Sequence, residues 1–194
     1  VKSPHAHARI VRIDPARALT QEGVIAFVNA ADIPGDNEVG PAQHGEPALA
    51  EEIADYVGCP IGAIVATSHE AARRAADLVD VTWEPLPALL SLDEAIAARS
   101  YVCPPQHLVF GDAQAALTSA RHTLKGSLEI GGQDHFYLET NIAMAIPQEG
   151  RQWHIWTSTQ HPTEVQKHVA LVLGVPQAAV TAEVRRMGGG FGGK

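Results

Sequence analysis

The sequence contains few cysteines, few basic residues and no long apolar segment. Its two cysteines, Cys59 and Cys103, are too few and too far apart for a disulfide scaffold or an iron–sulfur ligand set, so we expect reduced thiols in the cytoplasm. The 14 basic residues are outnumbered by 22 acidic ones, which gives a net charge of −8 and argues against binding of nucleic acid. Apolar runs stay well short of the roughly 18 residues that a membrane span needs, and the N-terminus shows no signal-peptide segment.

An initiator methionine is also missing, which suggests that the chain begins inside a longer one. The hydrophobic content of 45% and the charged content of 19% are ordinary for a soluble globular protein. A length of 194 residues fits one large domain or two small ones.

The first half of the chain alternates predicted strands and helices. Strands are predicted at Ala8–Asp14, Val24–Val28, 60–67 and 79–83, the third of them buried on both faces, with a helix over 68–78 capped by Thr67 and Glu70. The last two strands and this helix would form a right-handed β-α-β unit. Residues 35–50, including His44, indicate a long polar loop, and Ser91 with Glu94 indicates a capped helix. We predict a compact α/β domain over residues 1–100.

The second half begins with a connector, predicted over residues 101–117, in which Asp112 caps a short helix. A second domain is predicted over residues 118–194. It contains strands at 122–130, 142–146 and 153–157, then a helix that starts at Pro162 and ends at Gly174.

The chain closes on a strand that leads into a glycine-rich loop, residues 188–194. Val180, Ala182 and Val184 alternate with polar residues before five glycines and a phenylalanine. Successive backbone N–H groups in such a loop can form an anion-binding concavity. The same letters satisfy parts of the dinucleotide fingerprint and of the phosphate loop, but the helix or the Ser/Thr that each requires does not follow. A tight structural turn between strands is the remaining alternative.

Two further polar segments, 131–140 (GGQDHFYLET) and 158–162 (STQHP), make the pattern more specific. Taken alone, Gln133, His135 and Glu139 could be ordinary satisfied polar groups. Taken together with residues 186–194 (RMGGGFGGK), they resemble the molybdenum-binding subunit of xanthine dehydrogenases in the xanthine oxidase family, most closely the bacterial form carried on a separate chain. The resemblance implies an α/β (α+β) fold, in which a hammerhead-type domain is followed by the first part of the molybdopterin-binding domain.

The same resemblance implies a function for the intact protein. It would be a molybdenum hydroxylase that oxidises hypoxanthine and xanthine to xanthine and urate, with a molybdenum-molybdopterin cofactor. Electrons would pass through iron–sulfur clusters and FAD, on other domains or a partner subunit, to NAD, and the assembly would be oligomeric. The family's catalytic base is expected beyond Lys194, so the chain by itself would be inactive. An aldehyde oxidase or another molybdenum hydroxylase, an assembly fragment completed by another polypeptide, and a nucleotide-binding module stay open as alternatives.

By resemblance, the cofactor-binding residues in this chain are Gln133, Phe191 and Gly192. The Gln133 amide would face the oxo ligand of molybdenum, and the loop at Phe191 and Gly192 would bring backbone N–H groups to the same oxygen, so that Gln133 and Phe191 contact the metal only indirectly. From its letters alone, Phe191 could equally be a core anchor for the loop. Lys194 and Arg186 are expected to be solvated charges.

Overall fold

A computed structural model describes residues 1–40 and 45–194 of the chain. His44, predicted to lie in a polar loop, is outside the described residues. The chain divides into two compact units, one formed by Val1–Ala88 with His135–Lys194 and the other by Leu89–Asp134. The mixture of helices and strands confirms the α/β character predicted from the sequence.

The strands in the described part of the chain are β1 (Ala8–Asp14), β2 (Val24–Val28), β3 (Ile53–Ala54), β4 (Ala63–Ala66), β5 (Asp80–Pro85), β6 (Ala143–Gln148), β7 (Gln152–Thr157) and β8 (Val180–Glu183). The α-helices there are α1 (Ala16–Leu19), α2 (His69–Ala76), α3 (Leu92–Ala97), α4 (Ala113–Ser119) and α5 (Pro162–Leu173). Among these described helices, none has both the length and the apolar character needed to cross a bilayer.

Strand pairing in the first half differs from the predicted β-α-β unit. β5 pairs antiparallel with β1, whereas β4 pairs antiparallel with β2 in a separate sheet. The predicted unit is therefore wrong, because an apolar run identifies a strand without identifying its neighbour. β4 is also not buried on both faces, since Val65 is 42% exposed. The cap of α2 is Ser68 rather than Thr67, and its hydroxyl accepts from the Ala71 N–H at 3.1 Å.

The core of this region is built around a few buried residues, of which Ala54 and Ile61 are fully enclosed. Partly buried side chains from β1 and β5, including Ile10 and Trp83, pack against them. Cys59 belongs to this core as a free thiol, as expected from the sequence.

The β-α-β arrangement occurs instead at the end of the chain. β6, β7 and β8 form one sheet, in which β7 and β8 run parallel with Trp153 opposite Val180. Helix α5 connects them, beginning at Pro162 and ending at Gly174 in the left-handed conformation, as predicted. Ile155, Ala170 and Val180 form the core between helix and sheet. This packing fixes the end of β8, from which the glycine loop extends.

The second unit, Leu89–Asp134, carries short capped helices. The Ser91–Glu94 capping box is confirmed, and Asp112 caps α4 by accepting from the Ala115 N–H at 2.9 Å. The strand predicted over 122–130 is wrong, because these residues have no regular secondary structure. Strands need a hydrogen-bonded neighbour, and within the described residues of this unit there is none. Apolar side chains such as Leu128 are accordingly exposed.

Candidate functional site

The glycine loop is a tight, unusually shaped backbone segment. Gly189 and Gly192 have φ values of +97° and +94°, which side-chain-bearing residues rarely adopt. Phe191 lies between them with a positive φ of 51°, and such residues cluster at ligand-binding sites. A 2.8 Å hydrogen bond from the Gly193 N–H to the Gly190 carbonyl closes the turn. The loop thus holds a defined conformation.

A single carboxylate, Glu139, contacts both ends of this loop. Its Oε2 accepts from the Gly188 N–H and from the Lys194 ammonium, each at 2.8 Å. The hydrogen bond from Lys194, followed by that from the Gly188 N–H, holds the pKa of Glu139 below its ordinary value of 4.5. The carboxylate is therefore ionised at neutral pH and fixes the loop through charge-assisted bonds.

Lys194 is not the solvated charge expected from the sequence. Its side chain is 0% exposed, and its ammonium lies 4.7 Å from the centroid of the Tyr137 ring as well as against Glu139. The prediction is wrong because an oppositely charged and an aromatic partner replace water around the ammonium. An ammonium bound in this way is not available to a phosphate, which also argues against the phosphate-loop alternative. Arg186 is exposed, as predicted.

Gln160 contacts the middle of the loop. It lies three positions beyond the end of β7, and its side-chain Oε1 accepts from the Gly192 N–H at 2.8 Å. Its own backbone N–H donates to the Lys194 carbonyl at 3.2 Å. A Cβ atom on Gly190 would stand 2.6 Å from the same Oε1. The close approach of Gln160 therefore requires glycine at position 190.

Of the three predicted cofactor-binding residues, two lie in the loop. Phe191 is 74% exposed, so the alternative that it anchors the loop in the core is wrong. Gly192 directs its N–H at Gln160. Gln133 is an exposed residue of the Leu89–Asp134 unit, and its joining with the loop into one site stays a prediction.

Sequence reasoning did not identify the parts played by Glu139 and Gln160. Both stand in the polar segments 131–140 and 158–162, and that position was the only signal of their role. Residue letters cannot show which oxygen accepts from which loop N–H, because the partners are 49 and 32 positions apart.

A cleft of about 490 Å³ lies beside the end of the loop. Gly193 and Lys194 line it together with residues 141–143 and 157–159. The buried Ser158 hydroxyl in this wall accepts from the Ile142 N–H and donates to the Thr140 carbonyl, both at 3.3 Å. The wall next to the loop is therefore held in place by its own hydrogen bonds.

The donors of the loop suit an oxygen-bearing ligand. The Gly192 N–H donates a hydrogen bond to a neutral acceptor, the side-chain oxygen of Gln160. The positive charge of Lys194 is neutralised by Glu139. A loop of this kind offers backbone N–H groups without net charge. An oxo oxygen could accept from the Gly192 N–H in exchange for the Gln160 oxygen that this N–H now contacts.

Comparison with known proteins agrees with this chemistry. Residues 98–194 match the model of the molybdopterin cofactor-binding domain, and residues 1–87 match that of the aldehyde oxidase and xanthine dehydrogenase a/b hammerhead domain. The chain is 43% identical over 195 residues to a xanthine dehydrogenase of Dictyostelium discoideum and 43% identical over 196 residues to aldehyde oxidase 2 of Cavia porcellus. Both alignments cover 100% of this chain, which spans only 14% of the length of these curated relatives.

A solved structure gives the same result for the fold. Quinoline 2-oxidoreductase from Pseudomonas putida 86 superposes with a TM-score of 0.83 and 29% identity. The superposition covers 99% of this chain and 27% of that one. The hammerhead domain followed by part of a molybdopterin-binding domain, predicted from the sequence, is thereby confirmed.

Proposed function

The chain belongs to the molybdenum hydroxylases of the xanthine oxidase family, and on that premise we propose that it is part of a xanthine dehydrogenase. The intact enzyme would oxidise hypoxanthine and xanthine to xanthine and urate. The 43% identity to a xanthine dehydrogenase along the whole chain carries this proposal. Because an aldehyde oxidase is equally similar, oxidation of aldehydes is the second candidate.

From the resemblance, we propose that Gln133 in one unit and Phe191 and Gly192 in the other are the residues of this chain that bind the molybdenum-molybdopterin cofactor. When bound, this cofactor supplies the redox chemistry that oxidises a carbon of the substrate. Iron–sulfur clusters and FAD on other domains or a partner subunit, with NAD as the acceptor, complete the proposed electron path. The residues of this chain then act by binding and orientation rather than by proton transfer.

The residue types fit this role. An amide side chain such as that of Gln133 and backbone N–H groups such as that of Gly192 donate hydrogen bonds without changing charge between acidic and basic pH. They can therefore hold a cofactor oxygen without altering the electrostatics of the site. Gln160 Oε1, which accepts from the Gly192 N–H, would have to yield that donor to the cofactor.

The test uses the intact enzyme that contains these residues. We expect the purified protein to contain molybdenum and to reduce NAD with xanthine or hypoxanthine. Turnover of aldehydes with no turnover of purines would favour the second candidate, and a wild-type protein that never contains molybdenum would refute both.

A substitution tests the assignment of Gln133. Residues that orient a metal site typically contribute about 10–100-fold to metal affinity or activity, so we expect Gln133→Ala to lower molybdenum content or kcat within that range. Gln114→Ala is the matched control, because Gln114 is an exposed glutamine on α4 of the same unit. Equal effects of the two substitutions would contradict the assignment.

A further inference from the structure

The contacts of Glu139 close the glycine loop on itself. Gly188 and Lys194 are the first and last residues of that loop, and both donate to one oxygen, Oε2 of Glu139, at 2.8 Å. The Glu139 N–H also donates to the Gly188 carbonyl at 3.4 Å. Glu139 thus binds Gly188 at one end of the loop through its backbone and its side chain, and Lys194 at the other end through an ion pair.

Packing around these contacts leaves little freedom. A Cβ atom on Gly188 would stand 2.6 Å from Cβ of Glu139, so the loop backbone lies directly against the glutamate. Ideal Cβ atoms at Gly189 and Gly193 would meet the Tyr137 side chain at 3.1 and 3.0 Å. The segment around position 139 therefore forms the surface on which the loop rests.

The two side chains of the Lys194–Glu139 ion pair differ in solvent exposure. The Lys194 side chain is 0% exposed, whereas the Glu139 side chain is 36% exposed. Removing the carboxylate would leave a buried ammonium without its counter-charge, which is strongly unfavourable. The lysine would then have to move toward water, and the C-terminal end of the loop would move with it.

From these contacts we propose that Glu139 is a positioning residue, which sets the glycine loop in the conformation that receives the cofactor. The inference rests on the proposed function, because it assigns the loop to cofactor binding. Glu139 acts on the cofactor through the loop backbone and does not touch it.

The experiment compares Glu139→Gln with wild type in the intact enzyme. We measure the ratio of molybdenum to folded protein, the electron paramagnetic resonance spectrum of the reduced metal, and the thermal unfolding midpoint. Glutamine keeps an acceptor oxygen but loses the charge, so we expect molybdenum content to fall by about 10–100-fold. The spectrum of the remaining metal is expected to be altered, because the loop no longer holds it in one geometry.

Glu183→Gln is the matched control. Glu183 is also partly exposed and also pairs with a base, His154 at 3.0 Å, but it lies on β8 before the loop. We expect this variant to keep the wild-type molybdenum content and spectrum. If Glu139→Gln keeps them as well, or if both variants lose molybdenum to the same degree, the positioning role is overturned.

A second variant covers the case in which Glu139→Gln fails to fold. Glu139→Gln combined with Lys194→Met removes both charges, so no unpaired buried ion remains. We expect this double variant to fold, to contain less molybdenum than wild type, and to show an altered spectrum. A wild-type molybdenum content and spectrum would overturn the proposal. Absence of molybdenum from the wild-type enzyme would instead refute the proposed function, so the two failures are distinguishable.

Discussion

The contact between Gly190 and Gln160 allows a quantitative test of how the glycine loop is held. Alanine at position 190 would place its Cβ 2.6 Å from Oε1 of Gln160 and 3.1 Å from the sulfur of Met187. Both neighbours are ends of flexible side chains, so they can move aside. When the Gln160 amide moves, however, the Gly192 N–H loses its acceptor at 2.8 Å.

The energies follow from two terms. Loss of one hydrogen bond costs about 0.5–1.5 kcal/mol, and this is the whole expected effect of Gln160→Ala. Gly190→Ala loses the same bond but gains about 0.4–1 kcal/mol, because alanine restricts the unfolded chain. Its backbone is compatible with alanine, since Gly190 does not have a positive φ. The net effect of Gly190→Ala should therefore lie between about 0.5 kcal/mol of stabilisation and about 1 kcal/mol of destabilisation.

The double variant separates this explanation from others. Once Gln160 is alanine, the bond is already lost, so adding Gly190→Ala should stabilise the chain by about 0.4–1 kcal/mol. The coupling energy then equals the shared hydrogen bond, about 0.5–1.5 kcal/mol.

The free energies of unfolding would be measured by urea denaturation of the four proteins and monitored by tryptophan fluorescence, to which Trp153 and Trp156 on β7 contribute. Gly126→Ala is the control, because a Cβ atom there meets nothing within 4 Å, and it should be additive with Gln160→Ala. Additivity of Gly190→Ala with Gln160→Ala, within about 0.5 kcal/mol, would refute the reasoning.

Two further predictions concern the core under the loop and the charge that holds it. Val180→Ala should lower the free energy of unfolding by about 1.5–3 kcal/mol, because Val180 is 1% exposed and the substitution removes two buried methyl groups and leaves a cavity. The control is Val57→Ala at a 66% exposed position, which should change the free energy of unfolding by less than about 0.5 kcal/mol. Because the folded pKa of Glu139 lies below its ordinary value of 4.5, its stabilising contribution is present above pH 4.5 and is lost as the pH falls through the folded pKa. The stability difference between wild type and Glu139→Gln in urea titrations should therefore shrink as the pH is lowered from about 6 to about 3, and a constant difference would contradict this.

Local signals in the sequence correctly determined much of the secondary structure. The Ser91–Glu94 capping box, the Asp112 cap and the limits of α5 at Pro162 and Gly174 are all confirmed. Each depends on atoms within a few residues of one another, so the letters contain the whole interaction. The polar and glycine-rich segments also carried the resemblance to the family that the chain belongs to.

The errors arose where distant residues decide the outcome. β4 and β5 were predicted to share a sheet, but each pairs with a different strand from earlier in the chain. Residues 122–130 were predicted to form a strand and have no regular structure. In both cases the hydrophobic pattern indicates that a segment is apolar. The strand that would form hydrogen bonds with its backbone N–H and C=O groups is determined by residues elsewhere in the chain.

The glycine loop shows the same division at the site itself. The high density of glycines in its sequence determined that the backbone there would adopt positive φ values and be rich in N–H donors. The sequence could not determine that Glu139 would bury Lys194 or that Gln160 would accept from Gly192. Those contacts exist because β7, α5 and β8 bring distant segments to one edge of a sheet, and whether a charge is solvated or paired depends on what the fold places beside it.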